Sequence, residues 1–184
     1  MSSKIIFNLA LLPEDEFSER LEGYSQNLKG IRKANYFLGV DSLPHVTLLQ
    51  FEEFESKAKD LWDLVMHLDA QEIDYRGLSI ERWGNLDCVW LRIARKRNLE
   101  RLQEEAIASL KKSNLTYLNG VEEEFEPHST LAAWSSLGSV PALPIDPGLL
   151  GARNIKTRLA LGKSGPTYQF ARKLFSHELS AVQV

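Results

Sequence analysis

The sequence predicts an α+β fold of two similar lobes related by an approximate two-fold axis, as an internal duplication would produce. Three observations carry this expectation. The pentapeptide Pro-His-x-Thr-Leu occurs twice, as Pro44-His45-Val46-Thr47-Leu48 and, 83 residues further on, as Pro127-His128-Ser129-Thr130-Leu131. One such match in a chain of this length arises by chance roughly once in a thousand cases, and a pair far more rarely. Displacing the chain by the same 83 residues lays Cys88 to Arg95 over Ile5 to Leu12, and the apolar helical spacing after Arg97 over that after Glu14, without a gap. A chain of 184 residues with 43% apolar content is also the size of one compact unit. We therefore read residues 1–184 as a single bilobal domain with repeats at approximately 1–82 and 83–165 and a closing strand at 166–175.

Each element has its own reason. Lys4 to Leu12 is a continuous apolar run of strand length, and Pro13 then opens an acidic turn followed by Phe17, Leu21, Tyr24 and Leu28 at helical spacing. Tyr36 to Val40 and His45 to Phe51 read as strands separated by the turn residues Gly39 and Asp41-Ser42. Ser56 can cap a second helix with Leu61, Leu64, Val65 and Leu68 on its core side. Ile73 to Arg82 and Cys88 to Arg95 form a hairpin about Gly84-Asn85. A third helix after Asn98 turns Leu99, Leu102, Ala106 and Leu110 inward. Ser139 to Gly151, rich in Pro and Gly, holds at most a short helix. Ile155 to Lys163 and Thr167 to Phe175 close the chain as two strands joined by Ser164-Gly165-Pro166, and fraying is expected from Ser176 on.

Composition narrows the function. The longest apolar runs fall far short of the roughly 20 residues that span a bilayer, and the N-terminus lacks a basic region leading into an apolar core, so a cytoplasmic location and no membrane partner are expected. The single cysteine, Cys88, excludes an internal disulfide framework and a cysteine-rich metal site. A formal charge of -3 argues against a protein that coats long nucleic acid, and no DNA partner is expected. Arg92 to Arg101, Arg153 to Lys163 and the acidic run Glu122, Glu123, Glu124 and Glu126 read as solvated faces.

The motif carries the chemistry. His and Thr two residues apart on a strand leave the same face, so each copy offers an imidazole beside a hydroxyl. An approximate two-fold axis brings the two copies to one cleft. Two imidazoles across a cleft can act as base and acid on opposite sides of a reacting centre. In-line displacement at phosphorus needs that pair, because the attacking oxygen loses a proton while the leaving oxygen gains one. Thr47 and Thr130 would donate hydrogen bonds to the non-bridging oxygens, and no metal or other cofactor is required. Zinc binding by His45 and His128 is the rival reading, but it needs further ligands that a neighbouring Thr does not supply. His67 and His177 lie outside the pattern.

These residues resemble the two-histidine phosphoesterases, whose mark is His-x-Thr or His-x-Ser followed by an apolar residue, once per lobe. His45-Val46-Thr47-Leu48 and His128-Ser129-Thr130-Leu131 both match, and the resemblance extends over essentially the whole chain. It implies two antiparallel sheets forming a central cleft with helices outside. It also implies metal-independent opening of a 2′,3′-cyclic phosphate to a 2′-phosphate, or cleavage of a 2′-5′ linkage. His45 and His128 are then the catalytic pair, Thr47 and Thr130 the phosphate contacts, and a small nucleotide or RNA end the substrate of an expected monomer. Members acting on RNA often carry a basic residue shortly after the second motif, whereas Leu131 is followed by Ala132, Ala133 and Trp134. Lys163 and Tyr168 in the closing hairpin, together with Trp134, are candidate substrate contacts, and Trp83, Trp90 and Phe7 are candidate cleft walls. A module that binds RNA ends or nucleotide phosphate without turnover, and a ligase running the same chemistry backwards, are the alternatives.

Overall fold

The computed structural model of the protein describes residues 3–31, 35–136 and 141–177. Its strands are β1 (Lys4–Pro13), β2 (Tyr36–Phe37), β3 (Val46–Phe54), β4 (Tyr75–Trp83), β5 (Leu86–Ile93), β6 (His128–Ser135), β7 (Thr157–Ser164) and β8 (Phe170–Ser176). Its helices are α1 (Asp15–Leu28), α2 (Ala58–Val65), α3 (Arg97–Leu110) and the single turn α4 (Pro147–Leu150). The strands form two four-stranded antiparallel sheets, ordered β3-β1-β7-β8 and β2-β6-β5-β4.

The two sheets share one pairing plan. In each, a central strand, β1 or β5, has the motif strand on one side and a partner from the other half of the sequence on the other side: β7 beside β1, and β4 beside β5. The helices cross over too. Helix α1 follows β1 yet packs on the second sheet, where Phe17 stacks on Tyr75 at 5.0 Å between ring centres. Helix α3 follows β5 and reaches β3 of the first sheet, where Gln103 bonds the Leu48 carbonyl.

Local sequence explains most boundaries. The seven residues Phe7 to Pro13 of β1 are all buried, which needs an uninterrupted apolar run with only Asn8 polar. Asp15 and Glu16 in the first turn of α1 favour its positive end, and Phe17, Leu21, Tyr24 and Leu28 are its buried stripe, as the spacing predicts. Asp146 caps α4 by accepting from the Gly148 and Leu149 amides, with Pro147 at the first helical position. Gly84, at a φ of +59°, turns the β4–β5 hairpin.

Several expectations need correction. Tyr36 to Val40 is not a five-residue strand: β2 has two residues, because Gly39 and Ser42 exchange backbone hydrogen bonds that reverse the chain and leave Val40 exposed. Ser56 does not cap α2; it lies in a 3-10 turn, Glu55–Lys57, that precedes the helix. Trp62 rather than Leu64 joins Leu61 and Val65 inside. The ungapped 83-residue register also fails. Ala10 lies opposite Thr47 and Trp90 opposite Thr130, 80 positions apart rather than 83: two of the three extra residues lie where Ala94, Arg95 and Lys96 link β5 to α3 while Glu14 alone links β1 to α1, and the third lies between the helix and the motif. The loops on either side of the helix take up the difference. Ser139 and Val140, and the tail from Glu178, lie outside the described residues; His177 donates its backbone amide to Leu159.

The main apolar core lies between the sheets and their helices. A smaller cluster, Ala10, Leu12, Ala160 and Phe170, sits on the opposite face of the first sheet, where Ala10 lies beside Thr47. Cys88 is buried and unpaired, and no described helix is long and apolar enough to cross a membrane.

Candidate active site

A cleft of about 300 Å³ between the sheets is lined by His45, Thr47, His128 and Thr130. The axis implied by the repeated motif thus brings all four together. The two motif strands are tied where they meet, since the Ser129 hydroxyl donates to the His45 carbonyl at 2.9 Å and contacts the Tyr75 hydroxyl at 3.2 Å.

Both histidines are held in the same way. His45 Nδ1 lies 2.8 Å from the Leu43 carbonyl, and His128 Nδ1 lies 2.7 Å from the Glu126 carbonyl, in each case two residues upstream. A carbonyl only accepts, so Nδ1 carries the proton and Nε2 keeps its lone pair. The ring environments differ. His45 tilts against Phe170 at 5.6 Å, and Phe170 fits because Gly162 has no side chain: a Cβ there would come within 2.3 Å of the Phe170 ring. His128 stacks on Trp90 at 3.6 Å and 13°, with the Arg92 guanidinium 5.3 Å from the same indole.

Burial sets the electrostatics. It pushes His45 down to about 4, against the Leu43 carbonyl, which favours the protonated ring, and with His128 lowering it further. His128 also falls to about 4, again through burial first; the Glu126 carbonyl and Glu81 oppose the shift and Arg92 adds to it. Both imidazoles are neutral at rest at neutral pH. Thr47 Oγ1 is 3.4 Å from Asn8 Nδ2, which donates to it and leaves the Thr47 proton free for a ligand. Tyr36 donates to the Thr130 carbonyl and accepts from Ser42, and burial holds its phenol well above its usual range. The Cys88 thiol lines the cleft but is pushed up to about 11, first by burial and then by Asp87, so it stays protonated.

Each motif strand carries a bulge at its Leu. Thr47 pairs with Ala10 and Leu49 with Leu9, skipping Leu48; Thr130 pairs with Trp90 and Ala132 with Val89, skipping Leu131. One extra residue inverts the alternation beyond it. Gln50 and Ala133 therefore face the cleft, and Trp134, which strict alternation would place beside His128 and Thr130, is fully buried on the other face. The bulged carbonyls are satisfied by polar side chains buried on helices: Ser25 of α1 donates to Leu131, and Gln103 of α3 donates to Leu48 at 2.8 Å.

Other expected contacts divide. Tyr168, Trp83 and Trp90 line the cleft, whereas Phe7 is buried in the core against Phe51. Lys163 lies outside the cleft lining, opposite Phe7 in the register, and pairs with Glu55. The acidic run is not wholly a solvated face, since Glu124 and Glu126 line the cleft. Sequence reasoning missed Gln50, Asn119 and Gln169 in the lining, and also Ser25 and Gln103 behind it. Among the described residues no Lys or Arg lines the cleft, and no group of three His, Cys, Asp or Glu is arranged to hold a metal ion.

Two antiparallel sheets around a cleft fed by one histidine strand each define the two-histidine phosphoesterase fold. The fold is similar to that of LigT of E. coli: its structure complexed with 3′-AMP is 17% identical, covers 98% of this chain and 100% of its own, and has a TM-score of 0.64. LigT complexed with ATP gives 16% identity, 97% and 100% coverage and a TM-score of 0.60. A crystal structure described as a phosphoesterase gives 16%, 97%, 100% and 0.57. No protein-family model and no curated protein sequence matches the chain.

Proposed function

We propose that the protein is a metal-independent phosphodiesterase that opens 2′,3′-cyclic phosphates, or cuts 2′-5′ linkages, in nucleotides or at RNA ends, as a cytoplasmic monomer. The observation that carries this reading is the matched pair of histidines, each fixed through Nδ1 to a carbonyl so that a basic Nε2 is available in one shared cleft. In hydrolysis of the cyclic ester, one imidazole takes a proton from water as the water oxygen bonds to phosphorus. The bond from phosphorus to the 3′-oxygen breaks, the other ring, which has taken up a proton on Nε2 as the anionic ester bound, gives that proton to the leaving oxygen, and the 2′-phosphate remains. His45 and His128 together supply the base and the acid, one on each side of the phosphorus. The hydroxyls of Thr47 and Thr130 donate to the non-bridging oxygens, where charge accumulates.

The test is turnover in EDTA of 2′,3′-cyclic AMP, 2′-5′ ApA and a short RNA with a 2′,3′-cyclic end, with wild type beside His45→Ala and His128→Ala. Loss of a general acid or base removes on the order of a hundred- to ten-thousand-fold in kcat. Near wild-type rates in either variant, or loss of wild-type activity to the chelator, would refute the mechanism.

A further inference from the structure

We infer that the substrate is a mononucleoside cyclic phosphate carrying one negative charge, with its base seated against Trp83 and Tyr168; this rests on the phosphodiesterase reading above. Trp83 ends β4 and Tyr168 sits in the turn between β7 and β8, so the two rings come from different sheets. They meet at 5.2 Å and 76° and both line the cleft. They nevertheless remain 50% and 39% exposed, which gives the cleft an open aromatic edge. Every base offers a π-face to such an edge.

Tyr168 is held there against its own preference. Its φ of +62° is in the left-handed region, which a bulky residue occupies only where its surroundings enforce it. The Tyr168 amide donates to Gly165 at 3.0 Å, and its carbonyl accepts from Gln50 Nε2 at 2.6 Å. Gln50 reaches it because the Leu48 bulge turns that position toward the cleft. The strand that presents His45 and Thr47 to phosphate thus also fixes the aromatic ring at the edge.

Charge sets the size of the ligand. Glu124 and Glu126 are carboxylates in the lining, Arg92 is engaged by Glu81 and Glu126, and among the described residues no cation lines the cleft. A cyclic diester brings one negative charge, which uptake of one proton by the histidine pair balances. A terminal phosphate or an RNA chain brings further charges that meet carboxylates instead. A cleft of about 300 Å³ is at the small end of ligand sites and suits one nucleoside.

The experiment compares kcat/KM for 2′,3′-cyclic AMP with that for glycerol 1,2-cyclic phosphate, which has the same ester and no base. In wild type the nucleotide is favoured. Trp83→Ala and Tyr168→Ala each lower the ratio about tenfold while Tyr168→Phe keeps it, as loss of base stacking requires; a ratio is insensitive to a uniform loss of folded enzyme. A ratio unchanged in both alanine variants overturns the seat. A 5′-phosphate on the nucleotide, or extension to a trinucleotide, lowers kcat/KM, and a gain with either overturns the single-charge assignment. If wild type opens neither ester, the phosphodiesterase reading falls. Calorimetry then decides the seat separately: tighter binding of 2′-AMP than of ribose 5-phosphate, lost in Trp83→Ala, supports it, and equal binding overturns it.

Discussion

His45 and His128 are neutral at rest, yet the proposed reaction needs one of them charged. Burial holds both near 4, below the ordinary histidine value of 6.5, so the singly protonated pair that can act as acid and base becomes scarcer in the free protein as pH rises above that range. A bound phosphate ester reverses the balance, because a negative charge between the rings favours their protonation. The pH profile of kcat/KM, which reports the free enzyme, should therefore peak on the acid side of 6.5, and that of kcat, which reports the complex, should lie higher. Steady-state rates between pH 4 and 9 check this. A kcat/KM optimum above 7 would mean that the resting pair is not neutral.

The bulges in β3 and β6 do for the elements what the carbonyl bonds do for the rings. Without them Gln50 would leave the cleft and Trp134 would enter it. Each bulge removes a carbonyl from the ladder; that of Leu48 accepts from both Gln103 and Asn119, and Gln103 Nε2 also reaches the Gly120 carbonyl while its Oε1 accepts from the Glu122 amide. Gln103→Met keeps the volume and removes all three bonds. It should lower stability by roughly 1–3 kcal/mol, the usual cost of leaving buried polar groups unpaired, measurable as a drop in the urea midpoint. An unchanged midpoint would show that Asn119, which bonds the Leu48 carbonyl and the Gln50 amide, holds the bulge without Gln103. The strands and helices themselves were readable from the sequence, because Phe17, Leu21, Tyr24 and Leu28, or Leu99, Leu102, Ala106 and Leu110, repeat at the helical period. The four motif residues were readable because repetition made a short pattern specific. The bulges were not, since Leu48 and Leu131 look like any strand leucine and a one-residue slip inverts every face beyond it. That is why Trp134 was misplaced. Ser25 and Gln103 did leave a trace, as polar residues on otherwise apolar helical stripes.

Repetition in the sequence discloses the order of elements but not their partners, and the exchange of β4 and β7 between the sheets was invisible to it. The exchange makes the halves interdependent. Residues 1–82 contain β4 without β5, and β1 without β7, so neither sheet can be completed from one half. The molecule should unfold in a single transition, and any strain at the cleft becomes a property of the whole. The two depressed histidines supply such a strain. A group whose folded pKa lies below its unfolded value leaves stability undiminished above the unfolded value, and that stability is lost as pH falls toward the folded one. For His45 and His128 the window runs from 6.5 down to about 4, and the buried His45 contributes about 3 kcal/mol at most. Urea midpoints followed by both far-UV circular dichroism and tryptophan fluorescence should therefore fall together across that window, and fall less in His45→Ala. Two probes that separate would mean that the sheets melt independently despite their exchanged strands, and a His45→Ala slope equal to wild type would place the acid sensitivity in other groups.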